Sequence, residues 1–106
     1  MAIERFTEGL DFTRFSGDAL VRAAVERQFE IIGEALGRAA REDPSLEHSM
    51  PDISRIVGLR NRLIHGYDSV DDQILWDLIQ TRIPMLQRSV TDHLVAEGWA
   101  RDSGMV

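Results

Sequence analysis

From Leu20 to Ala39 the apolar side chains keep a single period. Leu20, Val21, Ala24, Val25, Phe29, Ile32, Leu36 and Ala39 recur about every 3.6 residues. That stripe predicts one long amphipathic helix, and a helix of this kind is stable only when other elements cover its apolar face. Ser16 or Asp18 is placed to cap its start, and Pro44 ends it near Asp43. Gly33 and Gly37 interrupt the stripe four residues apart. Each glycine lowers helix stability by about 1 kcal/mol, so the pair predicts a close crossing by a second helix.

Two further helices follow from the same periodicity. One runs from about Pro51 to His65, with Ser49 as its cap, Ile56, Leu59 and Leu63 on its core side, and Gly66 as a C-terminal stop. The other carries Ile74, Leu75, Leu78, Ile79, Ile83, Leu86, Val90 and Leu94. Pro84 lies inside it and forces a kink or a restart. Asp68 to Asp72 forms the turn and the new N-terminus, and Gly98 stops the last helix. Residues 2 to 9 predict a short first helix ending at Gly9. Leu10 to Ser16 reads as a connection whose Phe12 and Phe15 enter the core, and Pro44 to Met50 reads as a loop. No strand pattern, repeat or low-complexity segment is present. The expected fold is all-α, an up-and-down antiparallel helical bundle with a short first helix, in a single domain over 1–98 with a loose C-terminal tail over 99–106. With 106 residues and only three long helices, the core is expected to be completed by a homodimer.

Composition removes several function classes. The chain has no cysteine, which excludes disulfide and thiolate chemistry. No apolar run approaches the roughly 18 residues that span a bilayer, and the first residues lack signal-peptide architecture, so a cytoplasmic protein without membrane contact is expected. The net charge of −6 argues against bulk electrostatic attraction to nucleic acid but leaves room for a local basic patch. Every Lys-or-Arg position is Arg, so any phosphate contact comes from a guanidinium fork. His48, His65 and His93 lack ligand spacing, and no metal or cofactor is expected. Glu26, Glu30 and Glu34, spaced by four, read as a solvated or arginine-pairing stripe.

Chemistry concentrates in Gly58-Leu59-Arg60-Asn61-Arg62-Leu63-Ile64-His65-Gly66-Tyr67. Asn61 and His65, four apart, share a helix face. Arg60 lies about 140° round from His65, within reach of a long side chain. His65 falls in the last helical turn, where the negative end of the macrodipole favours a cation. An arginine, an amide, an imidazole and a phenol together can hold a phosphate and move a proton. Each residue also has an ordinary structural role. Arg60 can pair with Glu30 or Glu34, His65 can cap a helix end, and Tyr67 can be a core ring.

The pattern Arg60, four residues, His65, Gly66, Tyr67, with Asn61 directly after the arginine, resembles the HEPN superfamily. Within it, the closest likeness is to the HepT-like ribonuclease toxins of toxin–antitoxin pairs. Arg27 to Ala35, Ile56 to Leu59 and Ile74 to Ile79 are similar to the family's flanking segments, so the likeness covers roughly Phe12 to Val90. Family members usually begin with a full-length first helix, of which about Ala2 to Gly9 stands here. The resemblance implies a homodimeric, metal-independent endoribonuclease with two motifs facing each other across the subunit cleft. It implies His65 as general acid or base, Arg60 on the scissile phosphate and Asn61 orienting one of them, with Arg62 and Arg55 as further RNA phosphate contacts. It also implies a minimal nucleotidyltransferase antitoxin that transfers AMP to Tyr67. The alternative is a non-catalytic module that binds nucleotide or docks the nucleotidyltransferase.

Overall fold

The computed structural model describes residues 2–65 and 70–96, and every regular element among them is helical. In order these are α1 (Ala2–Thr7), α2 (Phe12–Ser16), α3 (Ala19–Glu42), α4 (Leu46–Ser49), α5 (Asp52–His65), α6 (Asp72–Asp77), a π-helical segment (Leu78–Arg82) and α7 (Ile83–Ala96). Helix α3 is the spine. It packs chiefly on α5, with α1, α2 and α4 also against it. Gly33 of α3 meets Ile56 and Arg60 of α5, and Gly37 meets Val57. Residue numbers therefore rise along one helix as they fall along the other, and the pair is antiparallel.

The termini follow local hydrogen-bond chemistry. Asp18 caps α3 by accepting from the Val21 N–H at 3.1 Å. Gly9 ends the first short segment with φ of 77°, a conformation that glycine enters without steric cost. At the far end of α3, Asp43 accepts from the Ser45 hydroxyl at 2.6 Å and from the Ser45 N–H at 3.1 Å. Those bonds hold its carboxyl below the ordinary range.

Several expectations need correction. Leu10 to Ser16 is not all connection: Asp11 accepts from the Arg14 N–H and starts α2. Phe15 of that helix is fully buried, while Phe12 is half-buried. The loop expected over Pro44 to Met50 contains α4, which buries Leu46. Ser49 closes that helix rather than capping α5. Leu20 is 81% exposed. It lies about 140° round α3 from Val25, off the buried stripe. The break expected at Pro84 is present: the chain runs from α6 into the π-helical segment, and α7 starts at Ile83. Pro84 has no N–H, and its ring crowds the carbonyl four residues back. The widened turns of the π segment precede it, and the Ile83 N–H reaches the Leu78 carbonyl, five residues back. The expected stops at Gly66 and Gly98 and the tail over 99–106 lie outside the described residues.

The main core is built from Ile3, Phe15, Val25, Phe29, Ile56, Leu75, Ile79 and Ile83 with their neighbours, so all three long segments meet in it. A smaller cluster of Leu46, Met50 and Ile53 seals the α4 end. Past the described end of α5, Val70 brings the chain back into the core at 3% exposure. Arg22 of α3 holds this return: its Nη2 donates to the Val70 carbonyl at 2.9 Å, and its guanidinium pairs with Asp72. Ser16 of α2 donates to the same Asp72 at 2.7 Å.

Asp18→Ala is expected to lower unfolding stability by about 0.5–2 kcal/mol, read as a lower urea midpoint at unchanged slope. An unchanged midpoint would show that this cap does not limit α3.

Candidate functional site

Helix α5 presents its residues to three environments. Ile53, Ile56 and Leu59 enter the core. Arg60 lies beside that face, against α3. Ser54, Asn61, His65, Gly58, Arg62 and Arg55 point away from the core and are exposed.

Arg60 is the most constrained of the expected site residues. A Cβ on Gly33 would overlap Arg60 Cβ and lie 2.9 Å from its Cγ and 3.2 Å from the Ile56 carbonyl oxygen. The stem of Arg60 therefore fills the space that a larger residue at 33 would take. Its guanidinium forms an ion pair with Glu34, the residue after Gly33 on α3, and donates from Nη1 to Asn61 Oδ1 at 3.0 Å. Glu34 also faces Arg38 at 3.4 Å. Of the two carboxylates the sequence offers to Arg60, Glu34 takes the role, while Glu30 pairs with Arg27 at 3.3 Å. The acidic stripe of α3 is thus an arginine-pairing face, and Glu26 completes it with Arg22 at 3.3 Å.

Among the described residues, Arg60, Asn61 and the pair Arg55 and Arg62 line different hollows. Arg60 lines a hollow of about 370 Å³ with Glu34, Arg38, Ile31 and Ile64. Asn61 lines another, of about 400 Å³, between α5 and the end of α3. Arg55 and Arg62 line a third, of about 530 Å³, toward α6 and the π segment. His65 is exposed in the last described turn of α5, on the same side as Asn61. Tyr67 lies outside the described residues. Among the described residues no group of three or more His, Cys, Asp or Glu could hold a metal ion, and no helix is long and apolar enough to cross a membrane.

Two structural features of this region were not named as part of the site from sequence. Gly33 marks a helix crossing by its spacing, but only the fold shows that the partner is Arg60 itself. Thr81 and Arg82 join the third hollow through the π segment; the break at Pro84 was the sole sequence signal there.

A sequence profile described as ribonuclease HepT-like matches residues 1–92. A Methanocaldococcus jannaschii protein with a provisional RNase name is 36% identical over 87 residues, covering 80% of this chain and 77% of its own length. A Caldanaerobacter subterraneus protein, also provisionally named an RNase, is 37% identical over 95 residues, 90% of this chain and 83% of its own. A protein of Thermococcus cleftensis, provisionally named ribonuclease HepT, is 35% identical over 85 residues, 80% of this chain and 76% of its own. No solved structure matches the chain significantly.

The side chains of Arg60 and Glu34 remain 29% and 46% exposed, so solvent screens their attraction. Glu34→Gln is expected to cost less than about 1 kcal/mol in urea unfolding. A loss above about 2 kcal/mol would show instead that the pair is a principal tie between α3 and α5.

Proposed function

The chain belongs to the ribonuclease HepT-like family, and on that premise we propose that it is a metal-independent endoribonuclease, the toxin of a toxin–antitoxin pair. The observation that carries the reading is the placement of the motif. Arg60 is seated by Gly33 and oriented by Glu34 and Asn61, while Asn61 and His65 stand on the open side of the same helix. The ribonuclease names of its relatives support the same direction.

The chemistry needs only these groups and the ribose. His65 takes the proton from the 2′-OH, whose oxygen attacks the adjacent phosphorus. The bond from phosphorus to the 5′-oxygen breaks, and an imidazolium returns a proton to that leaving oxygen. The Arg60 guanidinium lies against the phosphoryl oxygens as charge develops, and Asn61 fixes the guanidinium edge. Arg62 and Arg55 extend the contact to neighbouring phosphates.

The working unit in this proposal is a homodimer. Ile31 and Ile64, 44% and 46% exposed, flank Arg60 in its hollow. The molecule is 18 Å along its shortest axis, less than two helix diameters. A second copy on this face would cover the exposed isoleucines and bring two motifs together. The antitoxin in this reading is a minimal nucleotidyltransferase that transfers AMP to Tyr67. The added bulk and negative charge beside the end of α5 would then repel RNA phosphate. The protein acts in the cytoplasm, where both partners and RNA are found.

One observation favours a second reading. Arg60 is already engaged by Glu34 and Asn61, as expected of a non-catalytic module that binds nucleotide or docks the nucleotidyltransferase.

Incubation of RNA with the purified protein in EDTA separates the two. The parent is expected to cleave, and His65→Ala to cleave about 10²–10⁴-fold more slowly with an unchanged fold. Cleavage by neither protein, together with a stable nucleotidyltransferase complex, would select the binding module. Equal cleavage by both would remove His65 from the chemistry.

A further inference from the structure

The groove between α5 and the run from α6 to α7 carries Arg55 and Arg62, which the ribonuclease reading uses only as phosphate contacts. It encloses about 530 Å³. Its floor is apolar: Leu59 and Leu78 are 6% and 7% exposed, and Ile74 at the edge is 44% exposed. Its rim carries Arg55 and Arg62 from α5 and Arg82 from the π segment. Three guanidinium groups against one carboxylate, Asp77, make a positive patch on a chain of net charge −6.

These cations are not used up by the fold. Arg55 and Arg62 make no ion pair or side-chain hydrogen bond among the described residues. Arg82 is 3.9 Å from Asp52, at the limit of ion pairing. Asp77 accepts from Gln73 at 2.8 Å, on its own helix. On α3, by contrast, Arg22, Arg27 and Arg38 each face a glutamate.

Gly58 adds an independent observation. It sits in the middle of α5, where glycine is the poorest helix former after proline. Gly33 has a packing reason to be glycine. Gly58 has none among the described residues, because none of them lies within 4 Å of the place its Cβ would occupy. It lines this groove on one side and the hollow of Asn61 on the other.

We propose that the groove is a nucleotide subsite of the RNA strand, holding a residue that flanks the cleaved bond. This deepens the ribonuclease reading and rests on it. The base lies on the Leu59, Leu78 and Ile74 floor, and successive phosphates meet the arginine rim. Arg55 and Arg62 are seven residues apart, about 10.5 Å along the helix axis. That separation suits two phosphates of one strand better than the single phosphate of a mononucleotide. Arg62 also stands one turn before His65, so the groove is continuous with the proposed reacting end of α5. A cationic groove whose guanidinium groups follow the backbone and lie against base faces holds single-stranded RNA with little sequence preference.

Gly58→Leu tests this without removing any polar group. A leucine rotamer directed toward Leu59 and Leu78 narrows the groove, and the change improves helix propensity, so thermal stability is retained or raised. KM for a short single-stranded RNA is expected to rise roughly tenfold, with the loss falling on KM more than on kcat. Arg55→Gln and Arg82→Gln are each expected to flatten the slope of log affinity against log salt by about 0.7. A stable Gly58→Leu protein with parental KM overturns the proposal. So does a Gly58→Leu protein that loses the parent's dimer in sedimentation, which would assign the groove to a contact between copies. Cleavage by the parent is scored separately. If the parent cleaves no RNA, the ribonuclease reading fails on its own, and anisotropy binding of the same RNA to the parent and the three variants still decides the groove.

Discussion

The contact between Gly33 of α3 and the stem of Arg60 on α5 sets how closely these two helices approach. Two glycines on one face of α3 weaken that helix by about 1 kcal/mol each. The approach they allow buries Phe29, Ile53, Ile56 and Leu59 to 6% exposure or less. Each such side chain contributes about 1.5–3 kcal/mol, so burial outweighs the loss of propensity. The same contact fixes where Arg60 emerges and brings its guanidinium to Glu34. Packing and site geometry are therefore set by one crossing.

The arginines divide by what surrounds them. Along α3 the acidic stripe pairs with arginines on its own helix and with Arg60. On the far side of α5, Arg55 and Arg62 stand over an apolar groove without carboxylate partners among the described residues. An acidic chain can in this way keep a local cationic surface: its negative charges are concentrated where they order the helices, and its uncommitted guanidiniums are gathered elsewhere. The π segment contributes to this surface. Its widened turns relieve the crowding at Pro84 and carry Thr81 and Arg82 to the groove rim.

Long periodic segments were legible in the sequence because burial of one face dictates their spacing. The α3 stripe, the stop near Asp43, the break at Pro84 and the tight crossing at Gly33 and Gly37 all appear there. Helices α2 and α4 did not, since five and four residues are too few to show a period. Leu20 counted as apolar but sits on the wrong side of the helix, an error of phase rather than of composition. The site residues were legible as a cluster along the chain, yet a helix turns its neighbours outward. Arg60, Asn61 and Arg62 face three different hollows, and which glutamate holds Arg60 depends on the register of α3 against α5.

The claim that Gly33 is glycine because Arg60 occupies its side-chain space is tested most directly by a double-mutant cycle of Gly33→Ala and Arg60→Gly in urea unfolding. Arg60→Gly removes both the Cβ that the new methyl group would overlap and the Cγ that would lie 2.9 Å from it. The account predicts that the double variant is more stable than the sum of the single losses by more than about 0.5 kcal/mol, as for residues in contact. Losses that add within about 0.5 kcal/mol would show that the two positions are independent and would contradict it.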